Sequence, residues 1–379
     1  MNAFQSMKQG NCMRVLRLLR DKPRSRVELA RMTGLTKAAI TGITARLISD
    51  GIIREGEITH SEKGRRPTML EISPESYHSV GIDISRGGVR LCITDLTMRS
   101  VYEKEWSSDT DRDTVVEEIV AEINAARNSY RLLGVGVVAP GPVDSENGLI
   151  LDPRRLDAWH GFSVRELEKR LMLPTVLLKK DTSALALAEK AGTTDNTFLV
   201  ILADHGIGGG YIYNRRLFEP HGVGCEIGHL CIDPNGPRCS CGSHGCAEVY
   251  GSIPSALRHA SETFDGICWE ELVALARSGD SRAAEILSAH ADALATVCVS
   301  AVNVLEPSLI FLEGELCLYG EFYCEKIEQA LHSRCFSRNG RSVRVTVSSL
   351  SHGGRAIAAA NLILEDLFEG DDYDRIGRM

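Results

Sequence analysis

Apolar residues recur at helical spacing through the amino-terminal segment and predict three short helices. An apolar stripe that includes Leu16 and Leu19 marks the first helix, and Pro23 closes it. Ser25 and Glu28, three residues apart, have the form of a capping box that opens the second helix. We therefore expect a small helical module at the start of the chain.

The third helix of this module has one apolar face and one face of small and hydroxyl-bearing residues. Gly34 supplies the turn before it, Ile40 and Leu47 lie on the apolar face, and Gly51 ends it. Two helices, a glycine turn and such a third helix predict a helix-turn-helix whose third helix fits the major groove of DNA. The residues of the three helices predicted to contact DNA are Ser25, Thr36, Lys37, Thr41 and Thr44.

The residues after the third helix predict a β-hairpin wing. The apolar Ile52 and Ile53 begin it, and Gly64-Arg65-Arg66-Pro67 gives it a basic tip, so that Arg65 and Arg66 can reach phosphates or the minor groove. Residues 1–70 carry fourteen basic and six acidic groups, a net charge of +8, whereas the whole chain carries −8. This asymmetry favours a polyanion as the partner of the first segment only. The alternative is a three-helix docking module that never touches DNA.

From about residue 79 short β-rich runs alternate with helical stretches, which predicts an α/β body. Strands are predicted at 80–84, 90–94, 133–138, 175–178, 198–202 and 309–312, and helices at 115–127, 164–171, 183–190, 283–304 and 356–368. Two glycine-rich breaks at 139–142 and 205–210 are interpreted as phosphate-cradling loops or as tight turns. The acidic residues near the carboxyl terminus are expected to be solvated: Glu365, Asp366, Glu369, Asp371, Asp372 and Asp374.

Three cysteines lie within eight residues, and a histidine precedes them. His229, Cys239, Cys241 and Cys246 have the ligand types and the number of a closed tetrahedral zinc site. Such a site leaves no position open for water, so we expect its zinc to be structural. The alternative is a set of buried free thiols. The other cysteines are scattered, no apolar run reaches membrane-spanning length and no signal peptide is evident, which indicates a soluble cytoplasmic protein.

These features together resemble the ROK family of repressors and sugar kinases, in its regulator form. The resemblance rests on Gly81-Ile-Asp83, Pro140-Gly-Pro-Val-Asp144, Asp181 at a helix start, the segment from Glu226 to His229, and the cysteine run that ends at Glu248. It implies a winged helix-turn-helix followed by a two-lobed actin-like ATPase fold. The implied domains are residues 1–73 for DNA binding, 79–188 for the first lobe with the helix at 354–368 packing back, and 189–353 for the second lobe.

The same resemblance implies a sugar site. Asp181 matches the general base of the kinases, Glu226 and Glu248 match carboxylates that accept hydrogen bonds from sugar hydroxyls, and His229 matches a residue that touches both sugar and zinc. Each glutamate could instead be a surface acid beside a metal loop, and Asp181 could serve only as a helix N-cap.

The nucleotide side departs from the kinase pattern at several points. The first phosphate loop reads Asp83-Ile-Ser-Arg-Gly where the kinases have Asp-x-Gly-Gly-Thr, and the second begins with Asp204. Glu313-Gly-Glu replaces a glycine pair on the adenine side, and Lys180 replaces the asparagine before the catalytic aspartate, where it is expected to pair with Asp181 or contact the effector. We therefore expect neither ATP binding nor catalysis.

The sequence thus predicts a sugar-responsive transcriptional regulator, with repression favoured, which binds a pseudo-palindromic operator as a homodimer or higher homo-oligomer and takes a monosaccharide effector. One alternative is an ATP-dependent sugar kinase that carries a DNA-binding domain. The other is a constitutive regulator whose sugar site is vestigial.

Overall fold

The computed structural model describes residues 3–56, 68–173, 175–219, 224–350, 353–370 and 373. The predicted wing residues Arg65 and Arg66 lie outside these ranges. The chain divides into two compact units. The first comprises Met1–Ala139, Asp144–Lys179 and Arg355–Met379, and the second comprises Pro140–Val143 and Lys180–Gly354.

The elements alternate between helix and strand, as the α/β prediction requires. The helices are α1 (Ala3–Asp21), α2 (Arg26–Thr33), α3 (Lys37–Ser49), α4 (Arg112–Ala126), α5 (Arg165–Leu171), α6 (Asp181–Gly192), α7 (Glu248–Gly251), α8 (Ile253–Ala260), α9 (Trp269–Arg277), α10 (Ser281–Leu305), α11 (Gly320–Arg334) and α12 (Gly354–Glu369). The strands are β1 (Arg24–Ser25), β2 (Ile53–Glu55), β3 (Met69–Ile72), β4 (His78–Ser85), β5 (Gly88–Asp95), β6 (Ser100–Ser107), β7 (Leu132–Ala139), β8 (Val143–Asp144), β9 (Leu149–Ile150), β10 (Val176–Lys180), β11 (Phe198–Ala203), β12 (Ile207–Tyr213), β13 (Arg216–Leu217), β14 (Leu309–Glu313) and β15 (Arg344–Val347).

The amino-terminal module has three helices and a small antiparallel sheet of order β1-β3-β2. Ser25 and Glu28 form the predicted capping box, in which each side chain accepts a hydrogen bond from the other residue's backbone N–H. These bonds hold the pKa of Glu28 below its ordinary value. Gly34 ends α2 in the left-handed conformation at φ 71°, and Thr36 caps α3. The module is therefore a helix-turn-helix followed by two paired wing strands.

The first unit also contains a five-stranded sheet of order β10-β7-β4-β5-β6, against which α12 packs. The backbone of α12 lies unusually close to the sheet at two glycines. A Cβ on Gly81 would lie 1.9 Å from the carbonyl oxygen of Ala356, and one on Gly136 would lie 1.8 Å from that of Ala359. Real Cβ atoms do not come so close, so the helix can rest on the sheet only because both positions lack a side chain.

The far end of α12 packs on the helix-turn-helix module. Arg20 of α1 donates to Glu365 at 2.7 Å and to Asn361 at 2.9 Å, and both acceptor residues are buried. Arg17 donates to the carbonyl oxygens of Phe368 and Glu369 at the end of α12 and, at 2.7 Å, to that of Gly370, which follows the helix. The expectation that Glu365 is solvated was therefore wrong, because Glu365 is buried and Arg20, which is only partly exposed, neutralises it.

The second unit is built on a five-stranded sheet of order β13-β12-β11-β14-β15. Strands β11, β14 and β15 are parallel, whereas β12 and β13 are antiparallel to their neighbours. Helix α10 is long and apolar enough to cross a membrane, but 61% of its most apolar stretch is buried inside the protein. It packs in the same apolar cluster as β11 and β14, as a core helix does.

The second glycine-rich break is mostly strand, not loop. Residues 207–210 begin β12, where Gly210 pairs with Val200 of β11. A Cβ on Gly210 would lie 2.0 Å from the carbonyl oxygen of Thr182, so this glycine lets α6 approach the sheet. The interpretation of the whole run as a phosphate-cradling loop or tight turn was wrong, because periodicity does not show strands that consist largely of glycine.

Candidate metal centre and sugar site

Four side chains of the second unit converge on one point. His229 ends a short helical turn that begins at Ile227, and Cys239, Cys241 and Cys246 come from the irregular segment that follows it. One ligand atom from each of these four residues lies within 4.8 Å of all the others. The sequence prediction placed these same four residues in one site.

The spacing of these atoms fits a tetrahedral zinc ion. Ligand atoms about 2.0–2.3 Å from a tetrahedral ion lie roughly 3.5–3.8 Å from one another. The sulfur of Cys239 lies 3.7 Å from Nδ1 of His229, and the sulfurs of Cys241 and Cys246 lie 3.6 Å apart. Burial raises the pKa of Cys246 to about 12, and hydrogen bonding from the Ser243 backbone lowers that of Cys241. A divalent cation would neutralise this closely packed set of sulfurs.

His229 and two glutamates are held around this cluster by backbone contacts. Nδ1 of His229 faces the sulfur of Cys239, so the contact with the cysteine cluster does not use the other ring nitrogen, Nε2. The backbone N–H of His229 donates to the carbonyl oxygen of Glu226 at 3.1 Å. Glu248 begins α7, and its Oε2 accepts from the backbone N–H of Ile207 at 3.2 Å. One segment, from Glu226 to Glu248, therefore carries both the metal ligands and the two carboxylates.

Asp181 is the first residue of α6, and Lys180 occupies the N-cap position. The residue is 7% exposed, and its Oδ1 accepts from the backbone N–H of Thr182 at 2.7 Å. Its carboxylate thus satisfies one amide at a helix start, where a negative charge is favoured.

Lys180 pairs with Glu226, a contact that sequence reasoning did not anticipate. Its ammonium lies 2.5 Å from Oε1 of Glu226, and the lysine side chain is only 6% exposed. The two residues are 46 positions apart in the sequence, so no local sequence pattern predicts the contact. The only signal in the sequence is the basic residue beside Asp181, which was expected to pair with that aspartate.

The segment that was expected to match the first phosphate loop of the kinases contains an ion pair. Arg355 donates to Asp83 at 3.0 Å, and the aspartate side chain is 8% exposed. The following turn is fixed by Arg86, whose guanidinium donates to the carbonyl oxygen of Arg154 at 2.9 Å. The carboxylate that opens the loop therefore already has a cationic partner.

In the second unit, two buried acids stand at the carboxyl ends of neighbouring parallel strands. Glu313 ends β14 and Asp204 directly follows β11, and Leu202 pairs with Glu313 in the ladder between these strands. Asp204 is 8% exposed and Glu313 is 4% exposed. Ligand phosphates in α/β folds are usually held at this edge of a sheet, and two carboxylates there would repel them.

The exposed face of α3 carries most of the predicted base-contacting residues. Thr36, Lys37 and Thr41 are exposed, and small residues lie beside them. Thr44 was expected on this face but is fully buried, because its hydroxyl donates to the carbonyl oxygen of Ile40 at 2.9 Å. Ser25 is buried as well, and its side chain is engaged by Glu28, so neither residue presents a side chain to DNA.

Comparison with known proteins gives matches over nearly the whole chain. The sequence model that describes the ROK family matches residues 79–366. The xylose repressor of Bacillus spizizenii is 24% identical over 362 residues, which cover 93% of this chain and 94% of that protein. The transcriptional dual regulator NagC of Escherichia coli K12 is 26% identical over 385 residues, which cover 96% of this chain and 94% of that protein.

The fold of this chain is also similar to those of solved structures. A ROK family transcriptional regulator described as a homologue of the Escherichia coli Mlc protein superposes with a TM-score of 0.82 at 25% identity, over 99% of this chain and 100% of that one. The ROK glucokinase of Streptomyces griseus gives a TM-score of 0.68 at 24% identity, over 76% of this chain and 99% of that one. The regulator thus spans nearly the whole chain, amino-terminal module included, whereas the kinase spans about three quarters of it.

Proposed function

The chain belongs to the ROK family, and from this premise we propose that it is a sugar-responsive transcriptional repressor whose kinase-like body binds a monosaccharide without phosphorylating it. In this proposal residues 1–73 bind DNA, the remainder of the first compact unit forms one lobe, and the second unit, Pro140–Val143 with Lys180–Gly354, forms the other. The protein works in the cytoplasm as a homodimer or higher homo-oligomer on a pseudo-palindromic operator.

The observation that carries the non-catalytic part is the ion pair between Asp83 and Arg355. A phosphate-binding loop needs backbone N–H groups or cations that are free to meet the phosphates. Here the arginine is committed to a buried aspartate, and buried acids at Asp204 and Glu313 add negative charge on the other unit. The neutralised segment on the first unit and the two acids on the second unit therefore both disfavour ATP.

The sugar side keeps the groups that a neutral polyol needs. Glu226 and Glu248 supply acceptors, and His229 supplies a ring nitrogen whose orientation zinc would fix. Zinc bound by His229 and the three cysteines would supply rigidity, because four protein ligands leave no open coordination position. A sugar that binds one conformation of the body better than another would then change operator affinity.

Two measurements on the purified full-length protein test this proposal. In a thermal-shift screen over D-xylose, D-glucose and N-acetyl-D-glucosamine, with and without ATP, we expect at least one sugar to raise Tm and ATP to add nothing. Binding to a DNA site selected from random sequence, followed by fluorescence anisotropy, should weaken steeply with salt and change when that sugar is added. Operator binding that is indifferent to every sugar would contradict the effector part.

The sugar kinase remains the second candidate because Asp181 is kept at the start of α6, where it is buried and directly follows Lys180, the partner of Glu226. Sugar-dependent release of ADP that Asp181→Asn abolishes would establish it. Unchanged regulation in a Glu226→Gln/Glu248→Gln double variant would instead favour a constitutive regulator with a vestigial sugar site.

A further inference from the structure

Lys180 is buried as deeply as a core residue although it carries a charge. Its side chain is 6% exposed, and its aliphatic stem runs beneath Gly141, where an added Cβ would lie 3.4 Å from Cδ and 3.5 Å from Cε of the lysine. Burial of a charged group is costly unless a partner compensates it. Glu226 is that partner, with its Oε1 2.5 Å from the ammonium.

The ammonium has more hydrogen-bonding capacity than this contact uses. A lysine ammonium donates three hydrogens and accepts none. Within the part of the chain that the structure describes, Glu226 is the one hydrogen-bond acceptor found for it. Two donor hydrogens of a deeply buried cation are thus left for a ligand or for water, beside a carboxylate proposed to hold a sugar hydroxyl.

The two side chains of the pair differ in solvent exposure, so a ligand from solvent reaches one of them before the other. The side chain of Glu226 is 38% exposed, whereas that of Lys180 is 6% exposed. A ligand that approaches Glu226 meets an accessible acceptor first and a recessed donor directly behind it. Neighbouring hydroxyl groups on one sugar ring match this arrangement, because a hydroxyl can donate to the carboxylate while its neighbour accepts from the ammonium.

The charge of the pair narrows the ligand class further. The ammonium and the carboxylate cancel each other's charge. An anionic sugar would therefore find no uncompensated cation in this pair, whereas a neutral sugar needs none. On these grounds, and resting on the proposed sugar-sensing function, we propose that Lys180 is a specificity-determining residue that selects a neutral sugar with adjacent hydroxyls by donating a hydrogen bond to one of them.

The test is isothermal titration calorimetry on the full chain with D-xylose, D-glucose, N-acetyl-D-glucosamine and D-glucuronate. The wild-type protein should bind at least one neutral sugar and bind glucuronate more weakly. Lys180→Met keeps the stem and removes the donor, so affinity for the neutral sugar should fall roughly tenfold to hundredfold, the range for a hydrogen bond from a charged group. Lys179→Met, on the same strand β10, is the matched control and should bind as the wild type does.

A second variant keeps the proposal testable if Lys180→Met does not fold. Glu226→Gln retains an oxygen acceptor for Lys180 but removes the negative charge, so the ratio of glucuronate affinity to neutral-sugar affinity should rise at least about tenfold. In the double variant Lys180→Met/Glu226→Gln, which leaves neither charge of the pair, this rise should be absent, whereas it would persist if loss of the Glu226 charge alone caused it. Loss of neutral-sugar binding in Lys180→Met together with the altered ratio in Glu226→Gln supports the role of Lys180.

The contradicting results are distinct from one another. If the wild type binds a neutral sugar and Lys180→Met binds it within twofold, or if the ratio in Glu226→Gln is unchanged, Lys180 does not select the ligand and the proposed function stands. If the wild type binds none of the four sugars, the role of Lys180 and the effector part of the proposed function both fall.

Discussion

The hydroxyl of Tyr373 donates a 2.6 Å hydrogen bond to Asp50, the residue that caps the carboxyl end of α3. Tyr373 is 2% exposed, and the guanidinium of Arg46 lies 4.6 Å from the centre of its ring. Burial and the bond to Asp50 raise the pKa of Tyr373 well above its ordinary value. Tyr373 is thereby attached to the end of α3, the helix that is proposed to read DNA.

Tyr373→Phe should remove this hydrogen bond and leave the ring in the apolar cluster. We expect the free energy of unfolding of the first unit to fall by about 1 kcal/mol, the usual value for one such bond. Deletion of residues 371–379 should cost more, because the ring and its contact with Arg46 are lost as well. Hydrogen exchange of the α3 amides measures both effects, with the β11 amides of the second unit as the internal control. Unchanged α3 exchange in the deletion variant would contradict the attachment.

Lys37 and Thr44 lie on the same helix but should respond differently to substitution. Lys37 is exposed, so Lys37→Met should weaken operator binding and lower the slope of log affinity against log salt concentration by about 1. Thr44 is buried and accepts from Arg26 at 3.2 Å, so Thr44→Val should lower stability by about 1 kcal/mol without changing that slope. Lys22→Met, an exposed lysine before β1, is the charge-matched control. Equal slopes for Lys37→Met and Lys22→Met would argue against a contact at Lys37.

Loss of one metal ligand should release the ion. In Cys241→Ser we expect less than one zinc per chain after dialysis against a chelator, and Tm of the second unit should fall by roughly 5–10 °C. Cys231→Ser alters an exposed cysteine outside the cluster and is the control. Metal content is measured by atomic emission and Tm by circular dichroism. Full zinc retention in Cys241→Ser would contradict the assignment of that ligand.

His290 should make the second unit less stable in mild acid. Burial lowers the pKa of His290 to about 4, whereas the unfolded chain has a value near 6.5. Between these two pKa values the unfolded chain binds a proton that the native protein does not. The contribution of neutral His290 to the free energy of unfolding is therefore fully present above pH 6.5 and declines as the pH falls toward 4. The loss at pH 5 relative to pH 7.5 should be about 2 kcal/mol.

His290→Phe removes the titrating group but keeps an aromatic ring beside Trp269. Its free energy of unfolding is lowered at every pH, because Tyr323 loses its 2.8 Å hydrogen bond to the imidazole. The decline between pH 7.5 and pH 5 should be smaller than in the wild type by about 2 kcal/mol in urea titrations followed by tryptophan fluorescence. Equal declines in both proteins would show that His290 does not titrate as proposed.

Local signals in the sequence were sufficient for the metal cluster and the capping box. The ligands Cys239, Cys241 and Cys246 are close in the chain, and Ser25 and Glu28 satisfy each other within one helical turn. The α/β alternation was sufficient for the fold class, because buried parallel strands are continuous apolar runs. The metal cluster, the capping box and the helix–strand alternation could be predicted because each depends on residues that are close together in the sequence.

Long-range contacts were not predictable in this way. Lys180 and Glu226 meet only after β10 and the 226–229 segment are placed in three dimensions, and Arg355 meets Asp83 across 272 positions. Thr44 was assigned to the exposed face of α3 because a hydroxyl is polar. Its bond to a carbonyl one turn earlier removes that polarity and allows burial.

Gly81 and Gly136 have a mechanical consequence beyond their close packing. Side chains between two elements act as a soft layer, since a change of rotamer lets one element slide over the other. At these glycines α12 rests on main-chain atoms, and no such layer exists. We therefore expect α12 to move together with the sheet at these two contacts and not to slide over it.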